Sequence, residues 1–323
     1  AYPTSGVTLG PDGTVYGATF YGGNGGCEYN EGCGTLFKLT PSNGGWTESL
    51  LHTFGIVDGD GVYPSGSLIR DEIGAIYGTT AGGGAGSGTV YKLTPSEGNW
   101  SENVIYSFGD RAGDGGSPTG GVILDSGGIL YGTTSYGGSS GWGTVFQLAR
   151  SELGWEENIL YSFQGGRDGA TPQGGLIVGG AGDLYGTTSE ASSGRLIGGT
   201  VFRLTPSGSD WVHTVLHSFP AGQCFCFYEG PVASLTMDAA GNLYGTTYAD
   251  GAYLQGSVFK LTRTDEGWTY ISLHDFTGGS DGRWPMGSLT FDANGNLYGT
   301  ASGGGDHSHC YYNGCGVIFE IKP

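Results

Sequence analysis

Positive charge is scarce in this chain: 12 Lys and Arg stand against 30 Asp and Glu in 323 residues, a formal net charge of −18. Such a surface repels phosphate backbones and anionic bilayers, so no nucleic acid is expected as a partner, whereas cations and neutral, hydroxyl-rich ligands suit it. A surplus of one sign also serves solubility alone. Long apolar runs are missing as well. None approaches the roughly 18 residues of a membrane span, and no membrane insertion is expected. No Arg-rich start or signal peptide precedes Ala1, so the chain reads as a mature form or an excised portion. The 3.6-residue period of amphipathic helices is absent. So are HExxH, a Ser-His-Asp order, EF-hand spacing and CxxC, which leaves familiar metal-binding and triad chemistry without a motif.

What is abundant is glycine, at 69 residues, together with 20 Tyr, 14 Phe and 7 Trp. Disordered or collagen-like chains lack such a density of rings, whereas tight turns between short strands account for both. The motif LYGTT, with its variants, recurs six times, placing Tyr at 16, 77, 131, 185, 244 and 298. A second anchor, the aromatic of GTVF, falls at Phe37, Tyr91, Phe146, Phe202, Phe259 and Phe319. Trp46, Trp100, Trp155, Trp211 and Trp268 form a third, and Phe54, Phe108, Phe163, Phe219 and Phe276 a fourth. A Pro opens each unit, at Pro3, Pro64, Pro118, Pro172, Pro231 and Pro285.

These anchors divide each repeat of about 54 residues into four short strands, A to D, rich in Val, Ile, Leu, Tyr, Phe and Thr. A chain of four-stranded repeats predicts an all-β fold, a six-bladed β-propeller forming one domain over 1–323, with repeats near 1–55, 56–109, 110–164, 165–220, 221–277 and 278–323. The strand A anchor always precedes the Tyr by 9 residues, and the strand C aromatic precedes the Trp by 9 and the Phe by 17. The A–B and C–D turns are therefore fixed. From Tyr to strand C aromatic the spacing varies between 14 and 21. In an up-and-down blade this puts both fixed turns at one end and both variable loops, B–C and D–A, at the other, where localised function belongs. The sixth repeat stops after strand C, so its blade lacks an outer strand, and edge pairing with another strand or another copy is one way to complete it.

The consensus DGxxPxGGLxxDxxGNLYGTTxxGGxxGxGTVFKLTP resembles the GloVer-type tandem repeat of bacterial secreted or surface-anchored proteins, over nearly the whole chain. The resemblance implies a propeller and carries over no catalytic residue. The fifth repeat departs from it, with Gln223 to Glu229 replacing the DGxxP approach.

Several residue sets then compete for function. Asp60, Asp114, Asp168 and Asp281 each stand four residues before a Pro and are followed by Gly. They are candidate Ca²⁺ ligands, or Asx-type acceptors that hold their own loops. No cofactor is otherwise required. Aromatics gather in the variable loops, chiefly Tyr63, Tyr136, Trp142, Tyr248, Tyr253 and Trp284, with Tyr21, Phe225, Tyr228, Tyr311 and Tyr312; such faces stack on sugar rings or pack their own loops. Cys27 with Cys33 and Cys310 with Cys315 are spaced to clamp the two longest B–C loops, and Cys224 with Cys226 is a tighter third pair. Paired cysteines point to an oxidising compartment, hence to a secreted or cell-surface protein. His52, His217 and His274 fall within strand D patterns; His307 and His309 have metal-compatible spacing. The leading expectation is an extracellular binding or structural module for glycans or for other copies of itself. The alternative is a polysaccharide hydrolase or lyase using loop carboxylates such as Asp58, Glu190, Glu229 and Asp250 above a central channel.

Overall fold

The computed structural model describes residues 2–322 apart from 4, 25, 28–30, 191–196, 221–229, 307, 309 and 311–312. Among the described residues there is no α-helix, and only short 3₁₀ turns at Gly166–Asp168 and Gly180–Gly182 interrupt the strands. The chain divides into two compact units, Ala1–Ser162 and Phe163–Pro323.

In the first unit, one sheet is built in the order β1 (Thr8–Leu9), β2 (Val15–Thr19), β3 (Thr35–Ser42), β4 (Gly45–Thr53), and a second in the order β5 (Gly61–Arg70), β6 (Ile76–Gly83), β7 (Thr89–Ser96), β8 (Asn99–Ser107). The third repeat adds β9 (Gly115–Gly116), β10 (Val122–Leu124), β11 (Leu130–Thr134), β12 (Tyr136–Gly137), β13 (Thr144–Ser151) and β14 (Gly154–Ser162); β10-β11-β13-β14 form its sheet and β9 pairs with β12. In the second unit the sheets are β15 (Ile177–Val178), β16 (Leu184–Thr188), β17 (Ile197–Ser207), β18 (Asp210–Pro220), then β19 (Thr236–Met237), β20 (Leu243–Thr247), β21 (Ser257–Thr264), β22 (Gly267–Asp275). Last come β23 (Arg283–Pro285), β24 (Thr290–Phe291), β25 (Leu297–Gly303) and β26 (Val317–Ile321). Both β23 and β24 pair with one side of β25, and β26 with the other, so the sixth sheet holds a divided strand A, then B and C. Every pairing between these strands is antiparallel, and the first five four-stranded sheets follow chain order as meanders, so the six sheets are the blades of a six-bladed β-propeller. Among the described residues, the sixth sheet shows no counterpart of β4, β8, β14, β18 and β22.

The glycine of LYGTT is explained by strand register. It faces the strand C aromatic directly in every blade, from Gly17 opposite Phe37 to Gly299 opposite Phe319. A Cβ on Gly132 would lie 2.6 Å from Phe146 Cζ, and one on Gly186 2.5 Å from Phe202 Cζ. Only the missing side chain lets the ring lie across strand B. The freed aromatic then meets the strand D Phe of the preceding blade edge-on: Phe108 with Phe146 at 5.1 Å, Phe276 with Phe319 at 5.1 Å. Buried clusters accordingly join neighbouring sheets within each unit. Leu36 and Phe54 pack with Leu68, Ile76 and Tyr91; Val258 and Phe276 pack with Leu289 and Leu297. Burying an aromatic or aliphatic side chain of this size stabilises by roughly 1.5–3 kcal/mol, so the repeat invests its rings in holding blades together.

Threonine does the same within a blade. The last Thr of LYGTT shares a hydrogen bond with the Thr or Ser of strand C in five blades: Thr19–Thr35, Thr80–Thr89, Thr134–Thr144, Thr188–Thr200 and Thr247–Ser257, at 2.8 to 2.9 Å. The sixth replaces both partners with apolar residues, Ala301 opposite Val317. Losing both partners is nearly neutral, whereas losing one strands a buried hydroxyl at about 1–3 kcal/mol.

The fixed turns have a common device. At the A–B turn an Asp carboxylate accepts backbone N–H groups two and four residues on: Asp125 from Gly127 and Ile129, Asp238 from Ala240 and Asn242, Asp292 from Asn294 and Asn296, each at 2.8 to 2.9 Å. Such Asx geometry closes the turn at one length only, which is why the spacing never varies.

Candidate functional site

The variable loops converge at the opposite end of each sheet from these turns. Four of the D–A loops are each closed by an Asp. The Asp60 carboxylate accepts from Gly55 N at 2.8 Å, Asp114 from Gly109 N at 2.8 Å, Asp168 from Gln164 N at 2.7 Å and Asp281 from Thr277 N at 2.9 Å. In all four the donor is the residue after the strand D Phe. One carboxylate oxygen is thereby committed to the loop itself.

The carboxylate also faces side chains of the strand D region. His52 Nε2 lies 3.4 Å from Asp60, Tyr106 Oη 3.4 Å from Asp114, His213 Nδ1 3.3 Å from Asp168 and His274 Nε2 3.2 Å from Asp281. His52 and His274 lie on β4 and β22, in strand D positions. Tyr106 also donates to Glu157 of the next blade at 2.9 Å. Burial, reinforced by the Asp114 charge, raises the Glu157 carboxyl above its ordinary range. Burial, reinforced by Asp60, pushes Glu102 up to about 7. Burial lowers His213 against the opposing pull of Asp168. At Asp281, burial works upward, but bonds from Thr277 and His274 prevail and hold the carboxyl low.

Beyond the Asp, the residue before the Pro adopts a left-handed backbone in four blades: Tyr63 at φ 63°, Ser117 at 53°, Thr171 at 57° and Trp284 at 56°. For a side chain with a Cβ this costs on the order of 1–3 kcal/mol and persists only where the surroundings fix it. Two of these strained positions carry large rings, and each ring is stacked. Tyr63 lies parallel to Phe20, centroids 5.0 Å apart at 12°, with Tyr21 edge-on to both and Tyr2 edge-on to Tyr21. Trp284 lies parallel to Tyr248 at 5.9 Å and 12°, and the Arg283 guanidinium sits 4.1 Å from the indole centroid. Arg283 is held in turn by Asn313 Oδ1 at 2.9 Å. Each unit thus has its own aromatic platform, built from the end of one strand B and the start of the next strand A.

Of the six singled-out aromatics, the structure places Tyr63, Tyr248 and Trp284 in these platforms. Tyr136 is exposed on β12, Tyr253 is exposed on its loop, and Trp142 is half-buried in a bridge to Gly137. Phe20 and Tyr2 are the members that sequence reasoning missed. Phe20 had a signal: it follows the LYGTT-type motif, where Ala81, Ser135, Ser189 and Ser302 stand, and only Tyr248 matches it in size. Among the loop carboxylates, Asp58 is exposed, while Glu190 and Asp250 are half-buried.

Disulfides join Cys27 to Cys33 and Cys310 to Cys315, clamping the two longest B–C loops. Cys224, Cys226, Phe225, Tyr228, Glu229, His307, His309, Tyr311 and Tyr312 lie outside the described residues. No helix among the described residues is long and apolar enough to cross a membrane.

A family model described as the Gloeobacter/Verrucomicrobia repeat matches residues 1–191 and 154–323. The chain belongs to that repeat family. No curated protein matches it. Among solved structures, it is similar to a protein assigned as an oxidoreductase (glucose dehydrogenase) from Thermus thermophilus, at 17% identity and TM-score 0.56, over 99% of this chain and 96% of that one. It is similar also to a glucose dehydrogenase at 12% identity and TM-score 0.58, over 100% and 96%. A protein assigned as a 6-phosphogluconolactonase from Bacteroides uniformis aligns at 13% identity and TM-score 0.55, over 93% and 78%. At such identities these likenesses carry the fold alone.

Proposed function

We propose that this chain is an extracellular carbohydrate-binding propeller, with the Trp284–Tyr248 and Tyr63–Phe20 platforms as its sugar-stacking surfaces. The observation that carries the reading is the backbone strain beneath both rings. Two side chains of this size are held in a disfavoured conformation at the mouth of the variable loops, where a small residue serves the third and fourth repeats. A flat ring already fixed by a parallel neighbour loses little freedom on binding, which favours stacking against the apolar face of a pyranose. The acidic surface suits a neutral, hydroxylated ligand, and the two disulfides suit an oxidising compartment.

A glycan array probed with the wild-type chain is expected to give discrete oligosaccharide hits. Trp284→Ala is expected to weaken those that use its platform by about 10-fold or more, as truncation of a central aromatic anchor does. Tyr63→Ala tests the other platform separately. Unchanged binding in both variants would remove these rings from the site, and release of reducing ends from a bound glycan would replace binding by hydrolysis.

A second reading, self-assembly, is favoured by one observation on β26. Ile318 is 82% exposed, although the equivalent Leu36, Val90, Val145, Val201 and Val258 are all fully buried. Among the described residues, β26 pairs only with β25. An extended strand from a second copy would cover that edge. Light scattering over a concentration series is expected to show association that Ile318→Lys suppresses; a monomer at every concentration would remove the reading.

A further inference from the structure

The loop-closing Asp residues reveal a difference between otherwise equivalent sites. At the second of them, a tyrosine solves the electrostatic problem: the Tyr106 hydroxyl reaches both Asp114 and Glu157, leaving only Glu157 Oε1 without a partner among the buried atoms of that set. At the first, His52 replaces the tyrosine and Glu102 stands where Glu157 stands. Here three buried atoms have no hydrogen-bond partner: His52 Nε2, Asp60 Oδ1 and Glu102 Oε1. The Asp60 side chain has no exposed surface, yet one of its oxygens is unpaired. Leaving such groups unmatched in a buried site is costly, most of all for charged ones.

We propose that His52, Asp60 and Glu102 form a binding site for a divalent transition ion of the Zn²⁺ class, between the first and second blades. One ligand atom from each residue lies within 4.8 Å of the other two. His52 Nε2 lies 3.4 Å from Asp60 Oδ2, the oxygen that also accepts the Gly55 N–H. Ligands about 2.0–2.2 Å from a tetrahedral zinc ion are separated by roughly 3.3–3.5 Å, so this pair already spans one edge of a coordination tetrahedron. A small closing movement of Glu102 completes the face. The fourth position is left to water, as in zinc sites with three protein ligands. An imidazole with two carboxylates suits Zn²⁺ better than Ca²⁺, which takes six to eight oxygens at about 2.3–2.6 Å. The ligands are well braced: His52 sits on β4, Glu102 on β8, and Asp60 is anchored to Gly55 N. Because the ion bridges two blades, it ties the first to the second as the Tyr106 hydroxyl ties the second to the third.

The test is calorimetric titration of the whole, chelator-treated chain with Zn²⁺ alone, then with Ca²⁺ alone, for wild type, His52→Tyr and Glu102→Gln. His52→Tyr installs the residue that the next repeat already accommodates, so its zinc-free melting midpoint should stay close to wild type. Expected are one Zn²⁺ bound by wild type, affinity at least about 100-fold weaker in both variants, and no comparable Ca²⁺ binding. In the wild type alone, Zn²⁺ should raise the melting midpoint. Co²⁺ in place of Zn²⁺ should give visible d–d absorption without a thiolate charge-transfer band. Absence of Zn²⁺ binding, or Zn²⁺ affinity equal in wild type and both variants, overturns the proposal. Ca²⁺ bound as tightly as Zn²⁺ overturns the choice of ion class.

Discussion

Phe108→Ala is expected to lower the free energy of unfolding by about 3–5 kcal/mol, measured by urea titration. The ring is fully buried, edge-on to Phe146 of the next blade at 5.1 Å and to Tyr106 of its own strand at 4.9 Å. Truncation loses the transfer energy of the ring and leaves a void whose walls are strands, which relax less readily than loops. Domains are typically stable by only about 5–15 kcal/mol, so this one change removes a large fraction of the whole. The effect should fall on the joint between sheets, because Phe108, Val122, Leu130 and Phe146 share one cluster. A loss below about 1 kcal/mol would mean that adjacent blades are held by something other than these rings.

Gly132→Ala should also destabilise, by less and for the opposite reason. The backbone there does not need glycine, since its φ is not positive, and alanine would ordinarily help a strand by a few tenths of a kcal/mol or more. Space decides the sign. The new Cβ would stand 2.6 Å and 2.9 Å from two Phe146 ring carbons and 3.1 Å from the Gly121 carbonyl oxygen. Phe146 is itself fully buried and pinned by Phe108, so it has little room to move. Overpacking of this kind costs about 1–3 kcal/mol. Phe146→Leu shortens the obstructing group, so the double variant should lose at least about 1 kcal/mol less than the sum of the two single losses. Strict additivity in the same urea titrations would place the clash elsewhere.

Much of this fold was legible in the sequence alone. Constant spacing of 9 residues from Phe146 to Trp155 reports a hairpin of fixed length, and the structure pairs Arg150 with Trp155 beside its turn. The role of Gly132 was hidden, because LYGTT shows that a glycine recurs but not which ring lies opposite it. The aromatic platforms were half visible. Tyr63, Tyr248 and Trp284 stand out as loop aromatics, but their stacking partners depend on how strand B of one repeat meets the start of strand A in the next. Left-handed backbone before a Pro has no signature at all when a tyrosine or tryptophan occupies the position. The Asp series was readable as equivalent positions, and its loop-closing bonds follow from that equivalence. The divergence between His52 and Tyr106 gained meaning only when Glu102 and Glu157, each on the following blade, were seen to face them.

The seven tryptophans offer the most direct test of where this protein binds. Five, Trp46, Trp100, Trp155, Trp211 and Trp268, open strand D beside the fixed turns, whereas Trp142 and Trp284, the latter on β23, lie at the variable-loop end. With the best oligosaccharide from the array titrated into ¹⁵N-labelled protein, the indole N–H resonance of Trp284 should shift while the five strand D resonances stay in place. Shifts among those five with Trp284 unmoved would put the ligand at the wrong end of the blades and contradict the account.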